Sequence, residues 1–424
     1  MNKLAILGGS PIIDYTFKKY NTIGDEEKNA VIDVINSGVL SDFLGSWSEK
    51  FYGGPKVKEF EHACKEKFNV KHAISVNSWT SGLICAVGAI DIEPGDEIIL
   101  SPWTMSACAA SILHWGAIPI FADIEKETFN LDPKSIIKNI SPKSKAILAI
   151  DIFGHSCNID KIKKIADDNN LKVITDSAQA PGSKNKGRVT GTLGDIGGFS
   201  LNYHKHIHTG EGGIVVTDND YYANKIRLIR NHAESVAEGS GATNYSNLIG
   251  YNFRLGEIES AIGIEQLKKL DHLVQIKRKN VDHLNKHLKD LNGIRLPIVQ
   301  ENNYHSYYIY PLILDLRYLK LSRDKIVKAL EAEGVQGLMR GYVNLHSLPT
   351  FKNKIAYGSK GFPWTYENSR KNISYNKGIC PVAEKLHEQT FLGIEICDFD
   401  LSDNDIDKIG LAFKKVWANL DQLY

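Results

Sequence analysis

Ala146-Ile147-Leu148-Ala149-Ile150-Asp151 and Lys172-Val173-Ile174-Thr175-Asp176 are two short apolar runs, and a helix-periodic segment over residues 159–169 lies between them. Strands separated by a helix's length of chain do not form a hairpin; they pair in parallel, with the helix as crossover. The alternation continues outward on both sides. Upstream, strands are predicted over 72–76, 97–100 and 118–122, with helices over 80–90, 108–115 and 135–140. Downstream, strands are predicted over 197–201 and 213–216. The pattern predicts an α/β fold whose mostly parallel central sheet is flanked by helices on both faces. The chain between the last two strands is too short for a helical crossover, so 213–216 is expected to pair antiparallel.

Beyond Gly250 the pattern changes. Residues 255–291 are charged and helix-periodic, with Ile258, Ala261, Ile264, Leu267, Leu270 and Val274 at three- and four-residue steps. So long a helix is expected to bridge two lobes. A strand over 305–314 follows, then a helix over 322–333 capped by Ser322 and stopped at Gly334. Residues 341–380 read as loop, and 381–386 and 403–420 as closing helices. These shifts divide the chain into an N-terminal segment (1–54), a large α/β domain (55–275) and a small C-terminal α+β domain (276–424).

The 424 residues exceed what one small core needs, at about 150 residues per domain. With 42% hydrophobic and 24% charged residues, the chain has globular rather than disordered composition. Lys and Arg number 51 against 50 Asp and Glu, a net charge of +1 that offers no global field for nucleic acid or an anionic membrane. No apolar run approaches the roughly 20 residues of a membrane helix, and the start is too weakly apolar for a signal peptide. Cys64, Cys85, Cys108, Cys157, Cys380 and Cys397 are scattered, which suits free thiols in a cytoplasmic enzyme.

Asp176 ends a strand of the parallel sheet, where ligands bind in open α/β folds. There it can hold a cationic nitrogen or a ribose hydroxyl, although taken alone an Asp in this place favours the helix cap. Asn77-Ser78-Trp79-Thr80-Ser81-Gly82 joins a strand to a helix, and its hydroxyls and free N–H groups suit either a phosphate cradle or ordinary capping. In Ser200-Leu201-Asn202-Tyr203-His204-Lys205-His206-Ile207-His208-Thr209-Gly210-Glu211-Gly212-Gly213, Lys205 sits in a loop against the sheet. Desolvation there favours the neutral amine of Schiff-base chemistry, while a solvated loop lysine is the commoner case. His204, His206 and His208 alternate and could share a metal, but no distant ligand completes a pattern, so no metal is expected.

Together these segments resemble the DegT/DnrJ/EryC1/StrS family, sugar aminotransferases of the fold type I pyridoxal 5′-phosphate (PLP) enzymes. The likeness runs from Leu4-Ala5-x-x-Gly8-Gly9-x-Pro11 through Pro55-Lys56-Val57-Lys58-Glu59-Phe60-Glu61 to Pro381-Val382-Ala383-Glu384. It includes Pro94-Gly95-Asp96-Glu97, Ile118-Pro119-Ile120-Phe121-Ala122-Asp123-Ile124, Thr175-Asp176-Ser177-Ala178-Gln179-Ala180 and Gly194-Asp195-Ile196-Gly197-Gly198-Phe199-Ser200. The resemblance implies that Lys205 carries PLP and shuttles the proton, and that Asp176 keeps the pyridine nitrogen protonated. It places Gln179 by the ring, and Ser78, Trp79, Thr80 and Ser200 on the phosphate. Asn252, within Gly250-Tyr251-Asn252-Phe253-Arg254, would reach the phosphate of a neighbouring subunit, which implies a homodimer with shared active sites. Tyr342 and His346, in the aromatic 341–365 loop, are assigned to the acceptor substrate together with His206 and Arg254.

Three positions depart from the family pattern. His204-Lys205-His206 stands where Thr-Lys-Asn is usual, yet the following glycines put Lys205 in the catalytic register. Met105 stands where an aromatic ring commonly stacks on the cofactor, with Trp103 as the alternative if the loop is shifted. Ser81-Gly82 replaces a more helix-favouring pair. The implied reaction moves an amino group from glutamate or glutamine to a keto sugar, nucleotide-linked, for amino-sugar biosynthesis. A keto-cyclitol acceptor is the alternative within the family. A sugar 3-dehydratase comes next, and a non-catalytic relative last, since both Lys205 and Asp176 are present.

Overall fold

The computed structural model describes residues 3–423, so residues 1 and 2 of the N-terminal segment and residue 424 at the end lie outside it. Among the described residues, seven strands form one sheet. Their order is His72–Val76, Gly213–Thr217, Ile196–Ser200, Lys172–Asp176, Ser144–Ile150, Glu97–Leu100, Ile118–Phe121. The last five pair in parallel. Gly213–Thr217 runs antiparallel to both its neighbours, as its short connection requires. Strands such as Glu97–Leu100, Ile118–Phe121 and Ile196–Ser200 are buried throughout, because helices cover both faces of the sheet.

The crossover helices are Trp79–Ala89, Ala107–His114, Pro133–Asn139 and Ile159–Asp168. Three further helices of more than ten residues escaped the sequence reading: Asp25–Ser37, Pro55–Phe68 and Asp220–Arg230. Pro55–Phe68 was legible in principle, with proline in its first turn and Val57, Phe60, Cys64 and Phe68 buried at helical steps. Asp25–Ser37 was not, because it buries only Glu27 and Val34 and leaves Ile32 and Ile35 exposed.

The long helix spans Glu257–Leu288 and packs on Asp25–Ser37, Pro55–Phe68 and the C-terminal helix Asp403–Trp417. A second, antiparallel sheet has the order Ile294–Arg295, Tyr310–Leu314, Phe391–Ile394, Leu338–Met339. The strand expected over 305–314 begins only at Tyr310, because Tyr307 takes φ 54° and breaks the extension. The helix Arg323–Ala332 is capped by the Ser322 hydroxyl, and Gly334 closes the turn at φ 90°. Residues 341–380 are mostly irregular, with a 3₁₀ turn at Leu345–Ser347 and one short α-helix, Pro349–Lys352. They nevertheless join the core of the large sheet, where Phe121, Phe351 and Tyr375 form edge-on ring pairs. The Tyr375 hydroxyl anchors this region, accepting from Trp364 Nε1 at 2.9 Å and donating to the Pro119 carbonyl at 2.8 Å. Among the described residues, no helix is long and apolar enough to cross a membrane.

Candidate active site

A cavity of about 240 Å³ opens beyond the carboxyl ends of the parallel strands. Asp176 ends one of these strands, and Ser200 ends its parallel neighbour. The start of the helix Trp79–Ala89 and the Lys205 loop close the cavity. Nine of the expected residues line it: Ser78, Trp79, Thr80, Met105 and Asp176, with Gln179, Ser200, Lys205 and Tyr342.

Asp176 is 5% exposed, and its carboxylate is held from three directions. Trp79 Nε1 donates to Oδ1 at 2.8 Å, the Ala178 N–H donates to Oδ1 at 3.0 Å, and Cys108 Sγ donates to Oδ2 at 2.9 Å. Burial and the adjacent carboxylate push the Cys108 thiol well above its ordinary range, so it remains a protonated donor. The indole is seated by two glycines. A Cβ on Gly198 would fall 2.1 Å from the Trp79 ring, and one on Gly82 would fall 2.7 Å from it. The glycine at position 82 therefore has a packing reason. Neither the indole's bond to Asp176 nor the role of Cys108 was visible in the sequence, because both depend on side chains from separate elements.

Lys205 is 7% exposed, and its Nζ lies 4.2 Å from the centroid of the Tyr308 ring. Burial lowers its pKa to about 8, against the opposing pull of Asp176, Cys397 and Asp398. Tyr308 lines the cavity and was missed by the sequence reading, since nothing in its apolar surroundings marks it. Asn202 and Glu211 also line it, joined by a 2.8 Å hydrogen bond from Asn202 Nδ2 to Glu211 Oε1. Gln179 accepts from the Phe153 N–H at 2.7 Å and donates to the Tyr342 hydroxyl at 3.2 Å. Burial pushes the Tyr342 phenol up to about 12.

The helix Trp79–Ala89 points its N-terminus at the cavity. Ser78 caps it by accepting from the Ser81 N–H at 3.1 Å, which leaves the Trp79 and Thr80 N–H groups without partners among the described residues. A Cβ at position 213 would stand 2.7 Å from the Trp79 nitrogen, so Gly213 keeps this cradle open. Cap and cradle thus coexist: one hydroxyl serves the helix while two amides face the cavity.

Four expected positions lie elsewhere. His346 is fully buried with Nε2 3.0 Å from Glu384 Oε1, so the structure does not bring it to the cavity with the others, contrary to the expectation from its loop. His206 is likewise buried, with Nε2 2.9 Å from the Ser306 carbonyl oxygen and a pKa lowered by burial to about 3. The structure therefore does not bring His206 to the cavity lining. Arg254 lies outside this chain's cavity, near the Phe43 ring, and donates through Nε to Asn252 Oδ1 at 2.7 Å. Asn252 is exposed and also outside the cavity of its own chain. Met105 is 59% exposed at the cavity wall, while Trp103 is fully buried among Phe129, Phe153 and Phe391. Of that pair, only Met105 faces the cavity. His204, His206 and His208 do not converge on a common point among the described residues.

A buried amine, a carboxylate fixed by three donors and an open helix N-terminus match the aldehyde, ring nitrogen and phosphate of PLP in chemistry. The sequence profile of the DegT/DnrJ/EryC1/StrS aminotransferase family matches residues 22–388. The chain belongs to this family. It is a PLP-dependent aminotransferase with the fold type I architecture. The uncharacterized protein MJ1066 of Methanocaldococcus jannaschii is 36% identical over 81% of this chain and 89% of its own. The spore coat polysaccharide biosynthesis protein SpsC of Bacillus subtilis is 32% identical over 83% and 89%, and GDP-perosamine synthase of Vibrio cholerae 29% over 85% and 93%. Among solved structures, an aminotransferase from Psychrobacter cryohalolentis superposes with a TM-score of 0.81 at 27% identity, over 96% of this chain and all of its own. A GDP-4-keto-6-deoxymannose-3-dehydratase with a trapped PLP-glutamate geminal diamine reaches 0.77 at 25%, over 94% and 100%. The family members similar to this chain thus include sugar aminotransferases and a sugar dehydratase.

Proposed function

We propose that this enzyme transfers the amino group of glutamate or glutamine to the carbonyl of a nucleotide-linked keto sugar. The observation that carries the reading is the buried Lys205 amine, poised near neutrality in the same cavity as the tethered Asp176 carboxylate. The perosamine synthase and the spore coat protein support the sugar class of the acceptor.

When bound, PLP supplies a conjugated ring that accepts the electron pair left as the substrate carbon loses its proton. Lys205 Nζ would move the protons: in the donor half-reaction it would take the donor-carbon proton and pass it to the cofactor's aldehyde carbon, and in the acceptor half-reaction it would take a proton back from there and give it to the carbon that receives the amine. Lowering its pKa from 10.5 to about 8 raises the neutral fraction at pH 7 about 300-fold. Asp176 holds positive charge on the ring nitrogen, with its orientation fixed by Trp79, Ala178 and Cys108. Ser78, Trp79, Thr80 and Ser200, which line the cavity, would receive the phosphate; Met105 would cover the ring, and Gln179 and Tyr342, linked by a hydrogen bond, would border it.

In this reading the enzyme works as a homodimer. Asn252, exposed and outside its own cavity, reaches the partner's phosphate, and Arg254 travels with it. Exposed Ile32, Ile35, Leu40 and Trp47 of the 1–54 segment supply apolar surface for the interface. That segment also braces the lysine loop, as Tyr20 donates to the His206 carbonyl at 2.8 Å. Six buried, unpaired cysteines suit a cytoplasmic setting.

The test is a visible spectrum of the PLP-loaded protein before and after glutamate, for wild type and Lys205→Ala, followed by a panel of keto sugars and keto-cyclitols. Bleaching of the resting band by glutamate, loss of that band in Lys205→Ala, and one new amine per sugar turned over are expected. A deoxy-keto product without new amine would assign the dehydratase reaction instead. Full turnover by Lys205→Ala would refute the assignment.

A further inference from the structure

On the side of the long helix that meets the C-terminal helix, three ligand-type atoms converge, none of them from a residue that lines the cavity. His283 and His287 stand four residues apart on Glu257–Leu288, so their rings lie on one face, 5.4 Å between centroids. Both direct Nε2 at the same oxygen of Asp407, which comes from Asp403–Trp417: the distances to Oδ1 are 2.9 Å from His283 and 2.8 Å from His287. The three ligand atoms lie within 4.8 Å of one another. Asp407 Oδ2 has no hydrogen bond among the described residues.

We propose that His283, His287 and Asp407 form a binding site for a divalent transition ion of the Zn²⁺ class, clasping the C-terminal helix to the long helix. Two imidazoles four residues apart on a helix, with a carboxylate from a second element, are a donor set that this ion accepts, with water as fourth ligand. Tetrahedral ligands about 2.0–2.1 Å from zinc stand about 3.3 Å from each other. The present spacing therefore has to open by about half an ångström. Asp407 can supply this, since its side chain is half exposed.

Two neighbours support the assignment. Asp403 Oδ1 lies 3.9 Å from His283 Nδ1, on the side of the ring away from the ion and just beyond hydrogen-bond reach; a shift of about half an ångström would let it orient a ligating imidazole. On the C-terminal helix, Gly410 faces the His287 ring: a Cβ there would fall 2.3 Å from it, so the ring is seated and its Nε2 aimed. One neighbour opposes it. Lys414 Nζ lies 3.2 Å from His287 Nδ1, where it donates and favours the tautomer with the proton on Nε2. An ion at Nε2 requires that proton on Nδ1, so Lys414, which is exposed, has to swing away. Lys279 is already paired with Asp403 at 3.0 Å.

The competition with Lys414 separates a metal site from a simple ion pair. The PLP-loaded enzyme is stripped with EDTA, dialysed free of it, and titrated with Zn²⁺ in the absence of amino donor, by calorimetry and by thermal unfolding. One Zn²⁺ per chain and a rise in Tm are expected. His283→Ala and Asp407→Asn should each weaken binding at least tenfold and abolish the Tm shift, with the amino-transfer rate unchanged. Lys414→Ala should tighten binding severalfold, a gain that damage to the fold does not produce. Absence of stoichiometric Zn²⁺ in the wild type overturns the proposal. So does binding that is indifferent to His283→Ala, or weakened by Lys414→Ala.

Discussion

Burial of Lys205 has a kinetic consequence for the cofactor-free protein. In the proposed reading the Lys205 amine condenses with the cofactor's aldehyde, a step that requires the neutral amine, so the loading rate should follow the deprotonated fraction. With a pKa of about 8, that fraction is about 10% at pH 7, half at pH 8 and about 90% at pH 9. For an ordinary lysine near 10.4 it would be only about 4% even at pH 9. Desolvation is the largest cause and acts downward, while the negative charge of Asp176 acts upward. Asp176→Asn removes the upward pull, so its midpoint should fall below that of the wild type. Stopped-flow absorbance after mixing apoprotein with PLP between pH 6.5 and 10 measures the profile, with Lys205→Ala as the blank. A plateau above about pH 9 is expected. A rate that continues to climb tenfold per pH step through pH 9.5, or a midpoint raised by Asp176→Asn, would refute the burial argument.

Two substitutions probe the supports of the site. Gly198→Ala puts a Cβ 2.1 Å from the Trp79 ring and should destabilise the fold by about 1–3 kcal/mol in urea unfolding, with weaker PLP binding by fluorescence titration as the indole leaves Asp176. His346→Ala leaves Glu384 short of one partner and should cost about 1–3 kcal/mol of stability, while KM for donor and acceptor stays within about twofold of wild type. A large rise in acceptor KM without loss of stability would return His346 to the substrate site.

The sequence by itself determined the alternation of strands and crossover helices, since each apolar run is short and, apart from the first residue or two of some strands, buried on both faces. It also determined the antiparallel turn of Gly213–Thr217, because chain length between strands leaves no other connection. Asp176, Gln179, Lys205 and the start of the helix at Trp79 were legible for a related reason: in a parallel sheet every strand delivers its carboxyl end to one edge, so residues far apart in sequence share that edge by topology. What lies behind those residues was not legible. The indole and thiol that hold Asp176, the Tyr308 ring beneath Lys205 and the burial of His206 and His346 arise where separate elements meet. Histidines beside a catalytic lysine or in an aromatic loop look alike in sequence whether they face a cavity or a carbonyl. The meeting of His283 and His287 with Asp407, 120 residues downstream of His287, is of the same kind. Local pattern sets which elements form, but which side chains converge depends on how those elements pack, and only the tertiary structure decides that.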